Sequence, residues 1–258
     1  MKEIDEDLYN HIYLGQPKNT DDAAVIKYSW IDACVDAHVK LGIDMSGARS
    51  VGYDVADSGA DKNACIVFDG AIATECYAWH GGEDELTQSA LRAWSYANGG
   101  KLIYDCIGVG ANVGSALITA GYRNGHFKFN AAGAVINPER EYAHKIKNKD
   151  KFENLKAQAW QLVADRFVKT YAAVTRGDPI DPEDIISISS SIPDLQQLKI
   201  ELSTPRKRYS KRGLDMVETK DELASRGIAS PNLADAFIMA ATSHIHRSSG
   251  TLFTRGRQ

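Results

Sequence analysis

The chain is poor in the features that tie a protein to a covalent framework or to a bilayer. Its 258 residues hold only four cysteines, Cys34, Cys65, Cys76 and Cys106. They are scattered, with no CxxC pair, which argues against a zinc site and a disulfide framework and suits a reducing cytoplasm. No apolar run approaches the roughly 20 residues of a membrane-spanning helix. Residues 1–10 are acidic where a secretory signal is basic, so no membrane partner and no export are expected. Proline is sparse, 7 residues, and 43% hydrophobic against 25% charged content excludes a disordered or fibrous chain. That length and composition suit one domain with a substantial core. A GxxxxGK[ST] segment is missing too, so the chain has no phosphate-cradling ATPase loop. The glycine-rich stretch over 108–114 lacks the GxGxxG spacing of a dinucleotide loop and reads as a turn and helix start. There is no internal repeat, low-complexity block or heptad seam.

What charge there is divides unevenly. The net charge is −4. Residues 201–258 carry 10 Lys+Arg against 6 Asp+Glu, a net of +4, which leaves −8 for residues 1–200. A basic C-terminal part beside an acidic remainder is compatible with DNA held next to carboxylates, although the same split occurs in proteins that bind no DNA.

Hydrophobic periodicity gives the elements. Residues 1–25 are polar and read as a tail, and Ser29 is placed to cap a helix starting at Trp30 and carrying Ile31, Cys34, Val35, His38 and Val39 on one face. A loop over 44–49 leads to a strand over 50–54 that stops at Asp54. Strands over 65–68 and 71–79 follow, joined by an Asp69-Gly70 turn as an antiparallel meander. A helix over 85–97, a strand over 101–104 ending at Asp105 and a helix over 111–120 imply an α/β sheet. Residues 150–176 form a long amphipathic helix whose polar face is solvated, with Phe152, Leu155, Ala159, Leu162, Val163, Phe167 and Val168 on its apolar side. Beyond a turn-rich stretch around 178–182, residues 192–198 are helical, and 199–203 with 214–217 make a hairpin across a basic loop of Arg206, Lys207, Arg208, Lys211 and Arg212. Ser230-Pro231 opens a last helix through 234–243. The organisation expected is a tail over 1–28, a domain over 29–247 and a second tail over 248–258.

Asp54, Asp105 and Asp235 each end or start a regular element, where several elements can present side chains to one rim. Hard oxygen ligands are what Mg²⁺ requires, and carboxylates from two strand ends and one helix suit two ions about 3.5–4 Å apart. Without cations such a cluster repels itself. Taken singly, an aspartate at a strand end is more often a turn former or a cap. Asp57, in Asp57-Ser58-Gly59, has that turn character, and Asp61 in the same loop is a further metal candidate. His244 and His246 lack a surrounding metal motif and read as an exposed helix end.

The local contexts go further than the single residues. Val51-Gly52-Tyr53-Asp54-Val55-Ala56 leads into Gly59-Ala60-Asp61-Lys62, Tyr104-Asp105 leads into Gly108-Val109-Gly110, and the third is Ser230-Pro231-Asn232-Leu233-Ala234-Asp235-Ala236. From about Trp30 to His244 this set resembles the C-terminal nuclease domains of tailed-phage terminase large subunits, members of the RNase H-like superfamily. The resemblance implies a mixed central β-sheet flanked by α-helices. It also implies a two-metal-ion endodeoxyribonuclease, with Mg²⁺ or Mn²⁺, that cuts concatemeric double-stranded DNA during packaging. By it, Asp54, Asp105 and Asp235 are the catalytic metal ligands, with Asp61 a weaker one. Lys220 matches a lysine often found before the closing helix, and reads either as a group that approaches phosphate or as an exposed lysine at a helix start. The basic loop reads either as a solvated loop or, beside a carboxylate cluster, as a guide for the DNA backbone. Asn232 departs from the family, which commonly has an aspartate there, one turn before the ligand on the same helical face. The partners implied are double-stranded DNA, the ATPase domain, the small terminase subunit and the portal. The place implied is the host cytoplasm, at the procapsid portal. Three rivals stay open. A Holliday-junction resolvase of the same fold would prefer branched DNA. A catalytically silent DNA-binding or motor-docking module would bind no catalytic metal, and a nucleotide-handling protein would bind ATP without DNA.

Overall fold

The computed structural model describes residues 23–44, 47–56 and 61–245. Its centre is a six-stranded mixed sheet in the order β5-β4-β1-β2-β3-β8, formed by β1 (Arg49–Asp54), β2 (Asn63–Asp69), β3 (Ile72–Trp79), β4 (Lys101–Asp105), β5 (His126–Phe129) and β8 (Ser187–Ile188). β1, β2 and β3 are an antiparallel meander, while β4 runs parallel to β1, β5 to β4 and β8 to β3. Gly70, at φ 64°, makes the β2–β3 turn expected from Asp69-Gly70.

Helices cover both faces. The first helices, α1 (Tyr28–Cys34) and α2 (Ala37–Leu41), precede the sheet, and α3 (Leu86–Ala97) and α4 (Val113–Thr119) flank β4 in sequence. Val51, Tyr53, Val67, Leu102 and Tyr104 form one core layer with Leu86, Ala90, Ala93, Val113 and Leu117 of α3 and α4. The opposite layer joins Ile66, Phe68 and Ile103 to Trp160 and Phe167 of α6 (Leu155–Arg176) and to Phe237 of α9 (Asn232–Ala241). Phe237 meets Phe68 edge-on at 4.9 Å and stacks on Phe167 at 5.8 Å. Two small hairpins stand outside the sheet, β6 (Glu141–Ala143) with β7 (Ile146–Lys147), and β9 (Lys207–Tyr209) with β10 (Asp215–Val217). Short α5 (Asn148–Lys151), α7 (Leu195–Ser203) and α8 (Lys220–Ser225) complete the order. No helix of the described residues is long and apolar enough to cross a membrane.

The meander, β1, β4, α3 and α9 stand where the periodicity puts them. Elsewhere the structure corrects the sequence reading. The first helix starts at Tyr28 with Lys27 as its N-cap, not at Trp30 with Ser29 as cap. It also breaks in two, because Val35 forms a bridge with Ile188 and Asp36 turns left-handed at φ 51°. The expected tail over 1–28 falls largely outside the described residues, but its end is packed: Val25 and Ile26 are buried, and Ala24 bridges to Arg206. The long helix begins at Leu155, not 150, where Asn154 accepts the Ala157 N–H at 2.9 Å as its cap. Residues 199–203 are not a strand. They continue α7, whose Leu198, Ile200 and Leu202 are buried, and the partner of β10 is β9. Arg206, Lys207 and Arg208 therefore lie at or in a strand, and only Lys211 and Arg212 of the basic set remain in the connecting loop.

Candidate active site

The period of two along each strand decides where the aspartates face. In β1, Val51 and Tyr53 enter the α3/α4 layer, so Gly52 and Asp54 face α9. In β4, Leu102 and Tyr104 enter that same layer, so Ile103 and Asp105 face α9 as well. The strands are parallel with Tyr53 opposite Tyr104. Asp54 and Asp105 each follow by one residue, as in-register neighbours on strands roughly 4.8 Å apart.

The third aspartate arrives with α9. That helix lies directly on β1, and Gly52 permits it: a Cβ there would run into the Ala236 carbonyl and stand 2.7 Å from Ala240 N. The Ser50 hydroxyl donates to the Ala240 carbonyl at 3.2 Å along the same seam. Asp235 sits in the first turn, where the unpaired N–H groups of a helix favour an anion. Glu201, from α7, accepts the Leu233 and Ala234 N–H groups at 2.7 and 3.1 Å and so pins the start of α9.

All three carboxylates line one cavity of about 480 Å³, together with Asp61, Lys156 and Lys220, over an apolar floor that includes Phe129, Trp160 and Met239. Asp54 is almost wholly enclosed, with 3% of its side chain exposed, and Lys220 Nζ stands 3.8 Å from its Oδ2. Lys156 Nζ stands 3.6 Å from Asp235 Oδ1. Burial holds the Asp54 carboxyl well above the usual carboxylate range; Asp235 and Asp105 push the same way, and Lys220 and Lys156 oppose them. Asp105 is also raised by burial, with the Ile107 N–H, 3.1 Å from its Oδ1, pulling it back. For Lys220, burial favours the neutral amine, but Asp54, Asp235, Asp105 and Asp61 outweigh it and hold the ammonium charged.

The donor set fits a hard divalent cation in kind: every acid facing the cavity offers oxygen only. As placed, the two ammonium groups stand among these carboxylates, and no group of three His, Cys, Asp or Glu side chains among the described residues is gathered to hold an ion.

The remaining expected site residues are distributed differently. Asp57, read as a turn former, and His246, read as part of an exposed helix end, lie outside the described residues. The basic set does not line the cavity. Arg208 pairs with buried Glu218 at 3.1 Å and with Glu222 at 3.5 Å, and Arg212 pairs with Glu153 at 3.0 Å. Lys207 and Lys211 are exposed and Arg206 is partly buried. Asn232 donates its side-chain N–H to the Lys62 carbonyl at 3.1 Å, a bond that an ionised aspartate in its place could not make. Lys156 and Glu201 were missed by the sequence reading. Lys156 belongs to the polar side of the long helix, expected to be solvated, yet only 17% of its side chain is exposed. No local signal separates it from the other lysines of that segment.

The chain matches no family model and no curated protein. Solved structures do match. The nuclease domain of the large terminase subunit gp2 of bacterial virus Sf6 superposes with a TM-score of 0.78 at 28% identity, over 88% of this chain and 100% of that one. This chain has the fold of a terminase nuclease domain. A point variant of the Sf6 domain, with manganese and beta-thujaplicinol, matches with a TM-score of 0.78 at 27% identity and the same coverage. The large terminase nuclease from thermophilic phage G20c with bound magnesium shares the fold, with a TM-score of 0.50 at 13% identity over 86% of this chain and 98% of that one. The terminase nuclease fold is the RNase H-like mixed sheet with flanking helices that the three aspartate contexts implied.

Proposed function

We propose that this chain is the metal-dependent endonuclease domain of a phage DNA-packaging terminase, cutting concatemeric double-stranded DNA by hydrolysis of its phosphodiesters. The observation that carries this reading is the convergence of Asp54, Asp105 and Asp235, from two neighbouring strands and the helix packed on them, in one cavity. Asp54, Asp105 and Asp235 would hold two Mg²⁺ or Mn²⁺ ions, with Asp61 at the edge of the set. Such ions supply Lewis acidity at the phosphoryl group and a nucleophile at neutral pH.

The chain's own residues do the rest. Asp54 is rigid because its strand is central and its side chain enclosed, so its oxygens are preorganised. The Ile107 N–H orients Asp105, and Glu201 fixes the turn that carries Asp235. Lys220, half exposed at the cavity, would meet a phosphate oxygen. Lys207 and Lys211, and Arg206, Arg208 and Arg212 to the extent that their acidic partners release them, would steer the duplex. Contacts of this kind position the backbone without reading bases, so cleavage has little sequence preference. The ATPase domain, the small subunit and the portal are the partners in the complete motor, which works at the procapsid portal in the host cytoplasm. The nuclease domain takes in the packed segment from Ala24 and ends near residue 247.

The test is conversion of supercoiled plasmid to nicked and linear forms with Mg²⁺, Mn²⁺ or EDTA, for wild type, Asp54→Ala and Asp235→Ala. Cutting that needs the metal and disappears in both variants is the expected result. Folded wild type that cuts with neither metal refutes the reading for the isolated domain and favours a silent docking module.

A further inference from the structure

Lys156 is the charged group of the cavity for which the proposed reaction has no use. Its position is nevertheless closely specified. The Lys156 N–H donates to the Ala131 carbonyl at 3.0 Å and the Leu155 N–H to the Gly133 carbonyl at 2.9 Å, while Asn154 caps the same turn. The first turn of a 22-residue helix is an unfavourable place for a cation, since the helix dipole is positive there. Helix stability therefore does not account for the lysine. What it faces does: its ammonium stands 3.6 Å from Asp235, and the two side chains are 17% and 15% exposed. Lys220, from a separate element, approaches Asp54 at 3.8 Å. The two lysines thus divide the carboxylate cluster between them, and Lys156, the less exposed of the two, takes the acid on the closing helix.

We propose that Lys156 is a resident counter-ion of Asp235 that keeps the carboxylate site assembled in the metal-free domain and competes with the divalent cation for it. This rests on the reading of Asp235 as a metal ligand. An ammonium beside Asp235 supplies part of the positive charge that the cluster needs, so α9 can close on β1 before a cation arrives. The same charge repels an incoming dication, which raises the concentration at which the site fills. Lys156 is a positioning residue in this scheme, and it touches no reacting atom.

The experiment compares wild type, Lys156→Met, Lys156→Arg and Asp54→Asn in two measurements that need no DNA. These are Mn²⁺ titration by calorimetry and thermal unfolding in EDTA. Lys156→Met is expected to bind Mn²⁺ about tenfold more tightly than wild type and to unfold at a lower temperature in EDTA. Lys156→Arg, which keeps the charge, should match wild type in both. Equal or weaker Mn²⁺ binding by Lys156→Met, or an unchanged or higher unfolding temperature, overturns the proposal. If Lys156→Met does not fold, Lys156→Gln is read in the same way. Loss of Mn²⁺ binding in Asp54→Asn is the control for the underlying reading. Wild type that binds no Mn²⁺, or Asp54→Asn that binds it as well as wild type, sinks the metal-centre reading and this proposal with it.

Discussion

Replacing Gly52 by alanine should damage the cavity from a distance, because one hydrogen at that position sets how closely α9 approaches β1. A Cβ would stand 2.7 Å from Ala240 N, and relief to ordinary contact at 3.4 Å requires the helix to withdraw by the difference, about 0.7 Å, with the Ala236 carbonyl demanding more. Both obstacles are backbone atoms of α9, so no rotamer change relieves them. Overpacking of this kind costs about 1–3 kcal/mol, and the rigid helix puts the figure at the upper end. The same withdrawal carries Asp235 away from Asp54 and Asp105, and a misplacement of about 1 Å at a reacting centre costs on the order of 100-fold in rate. Gly52→Ala is therefore expected to lose about 3 kcal/mol in urea denaturation and most of its metal-dependent plasmid cleavage under conditions where it is still folded. Gly82→Ala is the control, since a Cβ at Gly82 meets nothing within 4 Å; it should stay within about 0.5 kcal/mol of wild type. A Gly52→Ala protein with wild-type stability and wild-type cleavage would refute the argument that direct backbone contact between α9 and β1 sets the carboxylate geometry.

Two further outcomes follow from buried acids. Burial raises the Glu201 carboxyl to about 7 from an ordinary 4.5, with Asp235 adding and the Gln197, Leu233 and Ala234 donors opposing. An acid raised on folding binds its proton more tightly in the folded state, so its contribution is present below pH 4.5 and is lost as pH rises through 7, worth roughly 3 kcal/mol at most. Glu201→Gln should flatten that part of the stability profile; a difference from wild type that stays constant between pH 4.5 and 8 contradicts it. Glu218 is fully buried between Arg226 and Arg208 and also accepts the Arg206 N–H. Glu218→Ala leaves both guanidinium groups without that partner and should cost about 3 kcal/mol in urea denaturation, and a loss below about 0.5 kcal/mol would show that solvent replaces the carboxylate.

The parts of this protein written locally in the chain are the ones that sequence alone determined. The apolar runs at 50–54 and 101–104 give both central strands with an aspartate at the end of each, Asp69-Gly70 gives the hairpin between β2 and β3, and the apolar run after Pro231 gives the closing helix; which face each aspartate takes was decided by the packing of the two core layers. Period and turn chemistry act within a few residues, so no partner is needed to read them. Other features depend on groups far away in the chain. The break between α1 and α2 is set by the bridge from Val35 to Ile188. The two-residue strand β8 exists only because β3 offers an edge to it. Residues 199–203 alternate well enough for a strand, and the burial of Leu198 and Leu202 inside the core makes them a helix. The same holds for the site. Sequence supplied the three aspartates, but it could not tell a solvated lysine from Lys156 beside Asp235, or assign Glu201 to the start of α9. Those pairings join residues 79 and 32 or more positions apart, and only packing brings them together.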